Sequence, residues 1–266
     1  MSRRSLKSKT QNLVKTWLEA SSKEVLTDVA FLSEQVLMDL FVMYNAAISS
    51  NAAVVRLLSI GKDILRVCLD PWYTPAYNSC LIYSFGVGND ITFEKIMSDL
   101  WGCQVFLHDH TVNHTHDFFG PRHVHRPWGI ANVSHVDDDG RTLVTYKDAL
   151  AANGHVGAQV HYLKIDIEEQ EYHVLPNIFD SGLLENVWQL HMEIHNFWRE
   201  WESSELYIQR NKILSELEDV GFRRVRATVN NLQRWIDEPE WGGWCCSDVL
   251  WVNERIRNQA LTRDRL

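Results

Sequence analysis

From residue 80 onward the chain alternates short apolar runs with segments whose apolar residues recur at helical spacing. Cys80-Leu81-Ile82-Tyr83-Ser84-Phe85 is the first run, and Gly86-Val87-Gly88 ends it with two glycines one residue apart. Behind that turn Phe93, Ile96, Met97 and Leu100 sit at i, i+3, i+4 and i+7, one apolar helix face. Asp90 or Thr92 is placed to cap the helix and Gly102 to close it. A second run, Cys103 to Leu107, stops beside Asp109. Gly129 to Ser134 reads as a short third strand, Tyr146 to Ala152 as a helix, and Gln159 to Ile167 as a fourth strand rich in β-branched residues. Glu171 to Asp180 reads as a helix interrupted by Pro176 and ended by Gly182, and Val187 to His195 as a fifth strand. Leu206, Ile213, Leu214 and Leu217 mark a long helix that stops at Gly221. Phe222 to Val229 and Ser247 to Asn253 are two last strands with no helix between them, so one of them runs antiparallel. This alternation predicts an α/β fold on a mostly parallel sheet.

Upstream the period is helical but broken: Leu13, Trp17, Val25, Val29, Leu32, Val36, Leu37 and Leu40, continued by Val54, Leu57, Leu58 and Leu65. Asp70-Pro71-Trp72-Tyr73-Thr74-Pro75 interrupts it. The expected organisation is a helical extension over residues 1–70 and an α/β domain over residues 71–266.

The glycine turn between strand and helix lets a backbone approach a nucleotide-like ligand, because glycine has no Cβ to hold it off. Asp109 lies 21 residues beyond Gly88, close to the ~20 expected for an acid that grips ribose hydroxyls. The fourth strand ends Lys164-Ile165-Asp166-Ile167-Glu168, so both acids share one face at its carboxyl end. The fifth ends His191-Met192-Glu193-Ile194-His195, again with its polar residues on one face. Ligands of open α/β sheets bind at that edge. A structural explanation competes, in which Asp166 or Glu193 accepts backbone N–H bonds or pairs with Lys164 or an arginine.

These residues resemble class I S-adenosylmethionine-dependent methyltransferases, specifically the FkbM-like branch and the animal group around methyltransferase-like protein 24. The resemblance rests on Cys80 to Gly88, Asp109, Leu163-Lys-Ile-Asp-Ile-Glu168 with Glu171, Val174 and Leu175, Gln189 to His195, and Gly221-Phe222, and covers roughly residues 72–255. It implies a Rossmann-like seven-stranded sheet with an antiparallel last strand, and S-adenosyl-L-methionine as cofactor. Ser84, Phe85, Gly86 and Gly88 then border the methionine part, Asp109 holds the ribose, and Asp166 lies beside methionine and acceptor. Family members commonly carry Gly at position 169, where this chain has Glu169, an acid that would narrow or recharge the acceptor side. The acid of the second strand is often followed by proline; here His110 follows it. A counterpart of that group's membrane anchor is not expected from these residues, which leaves the compartment open.

The implied reaction is O-methylation of a hydroxyl on a sugar or small metabolite. It needs alignment, exclusion of water and a base. His195 is the first choice of base, with Asp166 and Glu193 in reserve.

The bulk numbers shape the partner expectations. With 266 residues, 45% of them hydrophobic and 23% charged, the chain has an ordinary globular composition. A net charge of −9 suggests no broad affinity for nucleic acid or anionic membrane, so the expected acceptor is a small molecule or glycan, with no nucleic acid indicated. The local basic patch of Arg223, Arg224 and Arg226 reads as a solvated strand face. Phe31 to Ile48, the best membrane candidate, is interrupted by Glu34 and Asp39, so no transmembrane segment is expected. The first 18 residues are basic and free of acids, which is similar to a mitochondrial presequence; a frayed terminus is the reading preferred. Cytoplasm is therefore favoured, with secretory lumen and mitochondrion left open. Of five cysteines, Cys80 and Cys103 begin adjacent strands within bridging reach, bonded in a lumen and buried thiols in the cytosol. Cys245 and Cys246 read as strand residues.

Other readings compete. A dinucleotide-binding oxidoreductase shares the glycine turn but expects a third glycine where Ile91 stands. A metal could be held by His191, Glu193 and His195, or by the loop set His108, His110, His114, His116, His123 and His125. The loop spacing matches no zinc pattern, and no metal is expected. A catalytically degenerate cofactor-binding or interaction domain is the third alternative, with Trp198, Trp201, Trp235, Trp241, Trp244 and Trp251 as an aromatic surface for sugars or a partner.

Overall fold

The computed structural model describes residues 57–60, 65–112, 120–195, 204–229 and 246–263. Strands are β1 (Leu57–Ile60), β2 (Leu65–Cys68), β3 (Leu81–Phe85), β4 (Gln104–His108), β5 (His123–Arg126), β6 (Trp128–Ile130), β7 (His135–Val136), β8 (Thr142–Val144), β9 (Tyr162–Ile165), β10 (Gln189–His195), β11 (Phe222–Val229) and β12 (Cys246–Asn253). Helices are α1 (Thr92–Trp101), α2 (Tyr146–Ala152), α3 (Glu171–Ser181), α4 (Ser204–Asp219) and α5 (Glu254–Arg263).

The main sheet has seven strands in the order β11-β12-β10-β9-β3-β4-β5. All neighbours in its β10-to-β5 part are parallel, and β12 runs antiparallel to both β10 and β11. The mostly parallel Rossmann-like sheet with an antiparallel last strand is thus present. Its inner strands are apolar on both sides, as a sheet covered on both faces requires. Tyr83, Phe85, Leu163 and Ile165 pack toward α2, α3 and α4, while Ile82, Val105 and Tyr162 pack toward α1 and β2.

Two expectations fail locally. The seventh member of the sheet is β5, not the run Gly129 to Ser134; residues of that run join the small β6-β8-β7 sheet instead. β5 reads His-Val-His-Arg and is half-buried throughout, so as an edge strand it has no apolar run to announce it. The helical reading of Leu57, Leu58 and Leu65 also gives way, because β1 and β2 form an antiparallel pair. Leu65 and Val67 are buried and Arg66 less so, a period of two rather than 3.6. β2 is tied to the sheet by Gln189, which accepts from the Cys68 amide at 2.7 Å and donates to the carbonyls of Cys68 and Tyr73 at 3.1 Å. Residues 1–56, which carry the rest of the expected helical extension, lie outside the described residues.

Cys80 and Cys103, both buried at the amino ends of β3 and β4, are joined by a disulfide with Cα atoms 4.3 Å apart. Among the described residues no helix is long and apolar enough to cross a membrane.

Candidate active site

The carboxyl edge of the sheet gathers the glycine turn, Asp109, Asp166, Glu193 and His195. Gly86 has φ +75°, and a Cβ there would run into the backbone carbonyl of Asp166, so only glycine lets the turns after β3 and β9 touch. Gly88 also has positive φ, but open space lies where its Cβ would be. Its amide donates to Asp109 Oδ2 at 2.8 Å, which places acid and turn side by side. Asp109 Oδ1 accepts from the Thr111 amide and hydroxyl at 2.7 and 2.6 Å. Burial pushes the Asp109 carboxyl up, yet the bonds from Thr111 and Gly88 outweigh it and hold the group below the usual carboxylate range. A carboxylate has about four acceptor positions, so Asp109 keeps room for about one ribose hydroxyl beyond these three bonds. An open cradle over Gly88 with an ionised acid at its side fits a nucleoside with a charged tail.

Ser84 and Phe85, expected beside the methionine part, have their side chains engaged in the core. The buried Ser84 hydroxyl donates to Glu94 Oε1 at 2.6 Å, and the Phe85 ring stacks on His108 at 4.6 Å between centroids. Burial drives the pKa of His108 down to about 3, so that ring is neutral.

The β9–β10 side is built from charges. His195 is fully buried, with Nδ1 3.0 Å from Glu171 Oε1. Its Nε2 lies 3.6 Å from Glu168 Oε2 and 3.9 Å from both Asp166 Oδ1 and Glu193 Oε1. Burial works against protonating the ring, but the Glu171 hydrogen bond and the charges of Glu171, Glu193 and Asp166 outweigh it and raise its pKa to about 9. His195 is therefore an imidazolium at neutral pH, not the half-neutral ring its type suggests. Glu171, buried at the start of α3, is named from sequence only among the residues of the family resemblance, with no role; it also accepts from the Ile167 amide at 3.0 Å, fixing the turn and the imidazole together.

Glu193 stands directly across from Asp248 on β12, and like charges so placed repel. Lys164 on β9 supplies the countercharge: burial opposes its ionisation, but Glu94, Asp166, Glu193 and Asp248 outweigh it and raise its pKa. Its Nζ is 3.7 Å from Asp166 Oδ2 and donates to the Gly86 carbonyl at 3.4 Å. Lys164, Asp166, His191, Glu193, Asp248 and Leu65 line a narrow cleft of about 20 Å³. His191 contributes a neutral ring: burial, aided by Lys164, lowers its pKa to about 3, so its 3.6 Å approach to Asp248 is no ion pair.

Glu169 does not crowd this cleft. Its carboxylate accepts from Arg210 on α4 at 2.6 Å, with both side chains buried. Glu168 and Glu169 both have positive φ, 55° and 76°, at a cost of roughly 1–2 kcal/mol each for residues with a Cβ.

Among the described residues, two groups of potential metal ligands come within 4.8 Å of one another: Asp166, Glu168 and His195, and Glu193, His195 and Cys246. Cys246 is disulfide-bonded and offers no thiolate. The set His191, Glu193 and His195 is not among these groups, nor are the described histidines of the loop; His114 and His116 lie outside the described residues. Trp251 is fully buried and Trp188 packs against the core, whereas Trp198, Trp201, Trp235, Trp241 and Trp244 lie outside the described residues. Of the basic patch only Arg226 is solvated, since Arg223 pairs with Glu254 and the buried Arg224 with Glu218.

A family model described as a methyltransferase domain matches residues 50–238. The chain belongs to this methyltransferase domain family. The cofactor of this domain is S-adenosyl-L-methionine, which matches the cradle and acid above. The domain is 27% identical over 209 residues to probable methyltransferase-like protein 24 of Rattus norvegicus, covering 72% of this chain and 56% of the relative. The Homo sapiens form is 28% identical over 210 residues, covering 71% and 55%. The chain thus spans little more than half the length of these relatives. Solved structures of similar fold include Streptococcus pneumoniae Sp1610 in complex with S-adenosyl-L-methionine (14% identity, TM-score 0.36, 67% of each chain). Others are the Methanococcus jannaschii fibrillarin pre-rRNA processing protein (10%, 0.38, 75% of this chain and 83% of that one) and a point mutant of the 16S rRNA (adenine(1408)-N(1))-methyltransferase from Catenulisporales acidiphilia (11%, 0.35, 74% and 98%). The names of the last two refer to RNA and run against the expectation of a small-molecule or glycan acceptor with no nucleic acid indicated, which is set aside. A net charge of −9 summed over the whole chain does not by itself exclude a nucleic-acid acceptor.

Proposed function

We propose that the domain transfers the methyl group of S-adenosylmethionine to a hydroxyl oxygen, with His195 taking the proton. The observation that carries this reading is the contact between the turns after β3 and β9. Asp166 touches Gly86 of the cofactor cradle through its backbone and faces His195 Nε2 at 3.9 Å through its carboxylate. Bound S-adenosylmethionine supplies an activated methyl on a sulfonium, so little covalent help is asked of the protein.

The remaining work falls to residues of the chain. Gly88 opens the cradle, Asp109 accepts a ribose hydroxyl, and Gly86 lets Asp166 reach the methionine end. Glu171 holds Nδ1 of His195, so that Nε2 is the atom that receives the acceptor's proton. Asp166, Glu168 and Glu193 stabilise the imidazolium so formed. A ring of pKa about 9 is a strong base held mostly protonated at neutrality, so transfer rises with pH up to about 9. The same pKa favours a second reading, with Asp166 or Glu193 as the base and His195 as a fixed cation; its pH profile is flat around neutrality and falls as His195 loses its proton near 9. We also place the domain in an oxidising compartment rather than the cytoplasm favoured from sequence, on the strength of the Cys80–Cys103 bond.

S-adenosylhomocysteine is expected to raise the melting temperature of the wild-type protein, and a nicotinamide dinucleotide is not; no response to the former ends the proposal. With methyl-labelled cofactor and a cell extract, label on oxygen, lost in His195→Ala while cofactor binding persists, supports the reading. Label on nitrogen, or undiminished transfer in that variant, contradicts it.

A further inference from the structure

We propose that Glu169 and Arg210 are a positioning pair, which holds the turn after β9 in the shape that gathers Asp166 and Glu168 around His195. The inference rests on the reading of this edge as the active site. Two consecutive non-glycine residues with positive φ, Glu168 and Glu169, form a turn that disfavours itself. Such a conformation persists only where its surroundings over-determine it. Two tethers do so here. Glu171 accepts from the Ile167 amide at the start of the turn. Arg210 donates to Glu169 at 2.6 Å, reaching across from α4 in a charge-assisted bond shielded from water. The guanidinium also lies 4.9 Å from the Tyr172 ring, which aligns it for that bond.

A glycine at 169 adopts this φ freely; the chain has instead a residue that resists it and an arginine that compels it. Glu168 is exposed, yet its carboxylate is brought to 3.6 Å from His195 Nε2, with Asp166 at 3.9 Å. Released from α4, the turn relaxes toward negative φ and carries both carboxylates away from the imidazole. Glu171 on α3 and Glu193 on β10 stay, and Cys246 on β12 is disulfide-bonded and does not titrate.

The test is an NMR titration of the His195 imidazole in the full chain, paired with calorimetric titration by S-adenosylhomocysteine. Glu169→Gln and Arg210→Met are expected to lower the His195 titration point from about 9 by roughly one unit, and Arg210→Lys to restore most of it. Binding of S-adenosylhomocysteine should stay within about threefold of wild type, because the pair does not touch the cradle. Glu169→Gly, which adopts the same φ without strain and so needs no tether, keeps the test open if the other variants fold poorly, and is expected to hold the titration point near that of wild type. A titration point unchanged in Glu169→Gln and Arg210→Met, or one that falls as far in Glu169→Gly as in Glu169→Gln, overturns the proposal and leaves a tether of purely structural worth. Absence of binding in the wild type would instead strike the methyltransferase reading, and the NMR arm would still decide the pair.

Discussion

The two halves of the site reach the same sheet edge by different physics. On the β3–β4 side the working groups are largely backbone: one glycine that admits a neighbouring carbonyl, one that opens a cradle, and an amide bonded to an acid already satisfied by Thr111. Behind them stand stacked rings, Tyr83 on Phe106 at 5.1 Å and Phe85 on His108 at 4.6 Å, and a disulfide at the far end of the strands. On the β9–β10 side the working groups are ionisable side chains whose charges depend on one another, with Lys164 and His195 as the cations among Glu94, Asp166, Glu168, Glu171, Glu193 and Asp248. Rigid backbone suits recognition of a fixed ligand. Coupled charges suit the uptake of a proton. Under the proposed function the comparison separates binding from chemistry, and each half is open to attack on its own terms.

The sharpest attack is Gly86→Ala, which forces a Cβ against the Asp166 carbonyl at positive φ. Neither backbone can yield, so a loss of at least ~3 kcal/mol is expected, read by thermal melting together with loss of S-adenosylhomocysteine binding. Removing the staple with the double variant Cys80→Ala and Cys103→Ala opens a loop of 23 residues and should cost about 3 kcal/mol in denaturant titration. It should spare the titration of His195. On the other half the lever is pH. The folded-state pKa of His195, about 9, lies above the ~6.5 of an unfolded histidine, so its contribution is full below pH ~6.5 and is lost as pH rises through about 9. Stability should decline over that window by on the order of 3 kcal/mol, and Glu171→Gln should flatten the decline by removing the Nδ1 partner. The mildest change is Gly88→Ala, where nothing blocks a Cβ: about 1 kcal/mol of backbone cost, with a larger loss of cofactor affinity because the methyl enters the cradle. Equal effects on stability from Gly86→Ala and Gly88→Ala would erase the distinction drawn between them.

Much of this edge is legible in the order of residues. Spacing alone picks out the glycine turn and Asp109, because the contact between them is local to one strand-helix-strand unit. Strand alternation picks out Asp166, Glu193 and His195 by placing them at carboxyl ends. The antiparallel β12 follows from the lack of a helical pattern in the sequence between the last two strands. Legibility fails where a contact depends on distant chain. Arg210 arrives from α4, 41 residues beyond Glu169, so the acid expected to intrude on the acceptor side turns away from it. Glu171 gains its role only when α3 turns back beneath His195. Local failures have a different cause: β5 is a polar edge strand without a pattern, and Leu57, Leu58 and Leu65 fit a helical period by coincidence while Leu65-Arg66-Val67 alternates. The charge state of His195 is also hidden in sequence, since it is set by three carboxylates, Asp166, Glu171 and Glu193, from three separate segments.

The division between binding and proton chemistry is tested most directly by parallel calorimetric titrations of S-adenosylhomocysteine into Asp109→Ala and His195→Gln. Loss of one charged hydrogen bond, about 1.5–3 kcal/mol, predicts a roughly 10- to 100-fold weaker Kd for Asp109→Ala. His195→Gln should bind within about threefold of wild type. Wild-type affinity in Asp109→Ala, or an equal loss in both variants, would contradict the account.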